Sequence, residues 1–96
     1  MPHLKIEHSS NVVLPADKIQ LLKQLHLALV DITAVKVSNI KSRIFCIKHY
    51  LVDLDNTDNG FIHLDLRLME GRSTQIIKQI GNQMKQILMT ACLPLN

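Results

Sequence analysis

The chain has 96 residues, 47% of them apolar, and its aromatic side chains are limited to Phe45, Tyr50 and Phe61. A chain this short supports one small core, and so large an aliphatic share is expected to be buried in part against other subunits, as a homo-oligomer. The basic residues outnumber the acidic ones, 11 to 8, without a clustered run, which excludes a nucleic-acid footprint and leaves attraction of a small anion open.

The first segment, His3 to His8, alternates Leu4 and Ile6 with Lys5 and Glu7, the period of a half-buried strand. Ser9-Ser10-Asn11 breaks it, and Asp17 and Gln20 are spaced as a helix-starting capping box. From Asp17 to about Val30 the residues Ile19, Leu22, Leu25 and Leu29 recur at three- and four-residue steps, which predicts a helix. Arg43 to Leu54 holds Ile44, Phe45, Cys46, Ile47, Tyr50, Leu51 and Val52 and reads as a second strand. Asp53, Asp55, Asn56, Asp58, Asn59 and Gly60 then make a turn. Phe61 to Leu68 is the clearest strand, with Ile62, Leu64, Leu66 and Leu68 on one side and His63, Asp65 and Arg67 on the other. After Glu70-Gly71-Arg72-Ser73, Ser73 is placed to cap a second helix whose apolar stripe runs through Ile76, Ile80, Met84, Ile87 and Leu88.

Two strand-helix units therefore start about 60 residues apart. A second β-α-β unit ends on a further strand, but Cys92-Leu93-Pro94-Leu95-Asn96 is short and Pro94 opposes regular pairing. The expectation is a lost final strand or a partner in its place. Cys46 and Cys92 form no C-x-x-C pair and read as buried thiols of a reducing compartment. No basic segment followed by an apolar run opens the chain, and no stretch approaches the roughly 20 apolar residues of a membrane span, so a cytoplasmic protein without membrane or nucleic-acid partners is expected. His3, His8, His26, His49 and His63 lack metal-ligand spacing, and no metal is assigned.

Met1-Pro2-His3, the segment Lys41-Ser42-Arg43 entering a strand, and Phe61-Ile62-His63-Leu64 running into Gly71-Arg72-Ser73 resemble 5-carboxymethyl-2-hydroxymuconate isomerases over positions 2 to about 90. The resemblance extends to the wider tautomerase superfamily. It implies an α+β fold of two β-α-β repeats, about 2–54 and 61–96 within one domain, with a mixed sheet, two helices on one face and here no final strand. It further implies a trimer, no cofactor, and a proton transfer in an unsaturated 2-hydroxy or 2-keto acid of aromatic catabolism.

On that resemblance Pro2 is the catalytic base. Once Met1 is removed its nitrogen is a secondary amine, and burial beside positive charge favours the neutral, proton-accepting form. Arg72 resembles the arginine that holds a substrate carboxylate, and its paired donors suit both a carboxylate and a developing dienolate. Arg43 and Lys41 stand where the family carries a basic pair, and Lys41 supplies charge without the planar fork. Without the resemblance, these four read as a strand-edge proline, a solvated helix-start arginine and a basic strand end. Against an isomerase stands a shortened, non-catalytic relative that acts only as an oligomerising or binding module. A different tautomerase activity, on phenylpyruvate-like enols, is a third reading.

Overall fold

The computed structural model describes residues 2–54 and 59–92. Met1, the middle of the expected Asp53–Gly60 turn and the Leu93–Asn96 segment lie outside the described residues, so Met1 removal and the effect of Pro94 do too. The elements follow in chain order: β1 (His3–Ser9), α1 (Lys18–Thr33), a 3-10 turn (Val37–Asn39), β2 (Lys41–Ile47), β3 (Ile62–Arg67) and α2 (Thr74–Ala91). β1 is the central strand of a mixed sheet ordered β2-β1-β3, parallel to β2 and antiparallel to β3.

Alternation along β1 turns Leu4 and Ile6 to one face, where both are fully buried. Both helices pack on that face. Leu21, Leu25, Ala28 and Leu29 of α1 meet Ile80, Met84 and Leu88 of α2 in a single core over the strand. The Asp17 side chain accepts from the Gln20 amide at 3.0 Å and starts α1 where the capping pattern puts it. Ser73 does the same for α2 through the Ile76 amide, at 3.2 Å. α1 runs one turn past Val30 and stops at Ala34, whose left-handed backbone (φ 58°) lets its amide donate to the Val30 carbonyl at 2.9 Å.

Two expectations need correcting. β2 ends at Ile47 rather than near Leu54, because β1 ends at the facing Ser9 and a strand with no further partner has no ladder to extend. Ser10 closes the pair by donating to the Ile47 carbonyl at 2.9 Å. Cys92 is buried, but Cys46 is exposed near the end of this edge strand. Met84 belongs to the core, whereas Met69 and Met89 are exposed.

The chain returns to β1 through a tight contact. Fully buried Ser9 accepts from the Phe61 amide at 2.9 Å and donates its hydroxyl to Asn11 Oδ1 at 2.6 Å. A side chain at Gly60 would meet that pair, since a Cβ there would stand 2.7 Å from Asn11 Oδ1 and 2.8 Å from Ser9 Oγ. Phe61 is half-buried and rests edge-on against Tyr50.

The phase of α1 can be checked by chemical denaturation. Leu25 is wholly buried and Leu27 is 59% exposed. Leu25→Ala is expected to cost about 2–5 kcal/mol and Leu27→Ala less than about 1 kcal/mol. Equal costs would contradict the packing described.

Candidate active site

The antiparallel pairing of β3 with β1 decides what surrounds Pro2. His3 is opposite Arg67 on one side and Lys41 on the other, so β3 leaves the sheet at the end where β1 begins. The Leu68–Ser73 turn therefore lies at the Pro2 end, although it belongs to the second repeat. Pro2 is buried, and its carbonyl accepts from the Lys41 amide at 3.1 Å. Gly71 bends the turn with φ 104°, a backbone angle that side chains oppose, and so sets the path into Arg72 and α2.

Arg72 is half-buried, and its Nε is shut off from solvent with no hydrogen-bond partner among the described residues. It lies at the border of an apolar groove of about 670 Å³ between β3 and α2, floored by Leu64, Leu66 and Leu68 and walled by Ile80 and Met84. Among the described residues no strand follows α2, and the outer edge of β3 pairs with nothing.

Lys41 is exposed, and its Nζ donates to the Ser38 carbonyl at 3.2 Å. Arg43 is also exposed but sits one row further along, on the sheet face that carries no helix. Its Nη1 lies 3.1 Å from His3 Nδ1, and because a guanidinium only donates, that ring nitrogen accepts. The structure thus gathers Pro2, Lys41 and the Arg72 turn at one end and sets Arg43 apart from Arg72, across the sheet.

Two features escaped the reading of the chain. His3, Lys5 and Arg67 stand beside Arg43, and the signal was available in the polar positions of each alternating strand, which carry mostly basic residues. His26 of α1 lies 2.7 Å from the Ser42 hydroxyl of β2 and ties helix to edge strand. Burial pushes the His26 pKa down, since a desolvated imidazole resists charging.

Solved structures share this arrangement. A 5-carboxymethyl-2-hydroxymuconate isomerase from Deinococcus radiodurans R1 is 28% identical, with a TM-score of 0.77 over 93% of this chain and 67% of its own. Pt0534, inactivated by 2-oxo-3-pentynoate, superposes with a TM-score of 0.80 at 16% identity, over 93% of this chain and 72% of its own. A fused 4-OT, a symmetric trimer, gives 0.77 at 16% identity, over 92% and 72%. The latter two establish the fold alone, which is the tautomerase fold. Residues 2–96 match the family of 5-carboxymethyl-2-hydroxymuconate isomerase, and the chain belongs to that family. A comparison with curated proteins finds no match. No helix among the described residues is long and apolar enough to cross a membrane.

The His26 contact has a pH signature. Its proton affinity is lower folded than unfolded, so its contribution to stability is present above the ordinary pKa of 6.5 and is lost as pH falls below it. Urea midpoints are expected to fall from about pH 7.5 to about pH 5.5 more steeply for wild type than for His26→Gln. Parallel pH dependences would rule out this coupling.

Proposed function

We propose that the protein moves a proton within an unsaturated 2-hydroxy or 2-keto di- or tricarboxylic acid of the 5-carboxymethyl-2-hydroxymuconate type, with Pro2 as general base. The observation that carries this reading is the meeting of Pro2, Lys41 and the Gly71-Arg72 turn at one end of the sheet. With Met1 removed, the Pro2 nitrogen is an amine with a lone pair. Its buried setting disfavours the charged form and so suits the unprotonated nitrogen that a base requires.

The chemistry is a closed cycle. Pro2 takes a proton from the substrate, the electron pair delocalises over the conjugated system as a dienolate, and the prolinium returns the proton at another carbon. Arg72, whose Nε lacks an acceptor, holds a carboxylate and disperses the dienolate charge. Lys41 adds positive potential at the same end of the sheet, and Arg43, across the sheet from Arg72, contributes charge rather than a second carboxylate contact. The cycle leaves Pro2 ready for another turn, with no redox step and no group transferred to the protein.

The assembly proposed with it is a homo-oligomer, with the trimeric 4-OT neighbour as the template. Exposed Met69, Ile77 and Met89 around the groove support burial against another surface. The β3 edge, unpaired among the described residues, also suits a module that only binds or associates, and turnover separates the two readings.

Absorbance of 2-hydroxymuconate follows the reaction directly. Pro2→Ala is expected to lower kcat by about 10²–10⁴, and Arg72→Gln to raise KM with a smaller loss in kcat. Wild-type protein with a free Pro2 and no turnover would leave the non-catalytic module; an unaltered rate in Pro2→Ala would remove Pro2 from the mechanism.

A further inference from the structure

The two outer edges of the sheet differ in the charge they offer. Among the described residues neither β2 nor β3 has a second neighbour, since β1 lies between them. An exposed strand edge is a template for another strand unless its side chains oppose one. β2 sets Lys41 and Arg43 along its edge, so a second β2 is repelled. β3 carries Asp65 and Arg67 instead, one charge of each sign two residues apart.

The direction of the free backbone groups limits how a strand joins β3. The Ser9 amide donates to the Phe61 carbonyl at 3.0 Å, so the main-chain groups of Phe61 face β1. By alternation those of His63, Asp65 and Arg67 do too, and those of Leu64 and Leu66 point outward. Two β3 strands running antiparallel therefore pair even-numbered residues with even-numbered ones. Centred on Asp65, the pairing sets carboxylate against carboxylate. Centred on Leu64, it leaves Arg67 facing Phe61. Centred on Leu66, it places each Asp65 opposite Arg67 of the partner subunit and Leu64 opposite Leu68. The Arg67 side chain is available for this, being 79% exposed and only loosely held by its own Asp65 at 3.6 Å.

The groove beside this edge fits the same occupant. Ile77 and Met89 of α2 border it and are exposed. Gly81 also lines it, and a Cβ there would meet nothing within 4 Å. Glycine weakens the middle of a helix, and here no packing among the described residues asks for it, whereas it leaves α2 bare for a close neighbour. A twofold axis through the Leu66 pair, perpendicular to the sheet, keeps all the helices on one face and turns α2 towards its copy.

We infer that the outer edge of β3 is a docking surface for a second copy of this chain, whose β3 lies antiparallel and centred on Leu66, joining the two sheets into one. The interface holds two Asp65–Arg67 pairs between copies and covers both grooves. Such an isologous contact closes after two copies, so it is separate from any threefold contact, and combined with one it gives a dimer of trimers. It goes beyond the isomerase reading and does not depend on Pro2.

Sedimentation of the full chain at micromolar concentration tests the charge pattern. Asp65→Arg and Arg67→Asp each set like charges across the axis, so each is expected to halve the assembly mass of wild type. Mixed in equal amounts, the two variants offer opposite charges again, and the wild-type mass is expected to return. Crosslinking tests the register without altering charge. In a Cys46→Ser background, Leu66→Cys brings two Cα atoms to about 5.5 Å, within the disulfide range of about 4.4–6.8 Å. It is expected to crosslink in air, whereas Leu64→Cys, about 13 Å from its copy, is not. Wild type sedimenting as a monomer, a mass unchanged in both charge variants, or no preference for Leu66→Cys over Leu64→Cys would overturn the interface. The first of these is what another segment of the same chain lying along β3 would give.

Discussion

The placement of β1 between a parallel and an antiparallel neighbour is the constraint on which everything else depends. Leu4 and Ile6 are its anchor, since both are fully buried beneath two helices. A slip of one residue in either ladder would turn these side chains to solvent and drive His3 and Lys5 into the core, so the register is held by the hydrophobic pattern. The same lock aligns the basic rows on the other face. Core and charged surface are two consequences of one register.

Direction matters as much as register. Parallel β2 requires a crossover, which α1 supplies, while antiparallel β3 brings the second repeat back head to tail. That reversal is why residues as distant in sequence as Pro2 and Arg72 end up at the same end of the sheet. Local patterning encodes strands and their faces but not which way they pair. The Arg72 turn could be identified from its residues, yet its placement at the Pro2 end required the three-dimensional pairing.

Much of the remaining fold was legible. The alternation in β1 and β3, the apolar stripes of both helices and the Asp17 and Ser73 caps all translate directly into the structure. The extent of β2 was not, because Tyr50, Leu51 and Val52 have strand-forming side chains but no partner beyond the end of β1. Cys46, Met69 and Met89 are apolar types whose exposure follows from edges and from the open groove, which composition does not reveal. Pro2, Lys41, Arg43 and Arg72 were found through family resemblance. Arg67 and Lys5 have no such marker and gain meaning only when the strands are laid side by side.

The family membership joins this geometry to isomerase chemistry, and the mechanism proposed for it turns on the state of one nitrogen. As an amide behind Met1, Pro2 has no basic lone pair; as a free terminus it does. The most direct measurement is the rate of 2-hydroxymuconate conversion by two preparations whose intact masses differ only by Met1, one retaining it and one lacking it. The account predicts turnover in the Met1-free protein and none above background in the Met1-retaining form. Equal rates in the two would contradict Pro2 as the base.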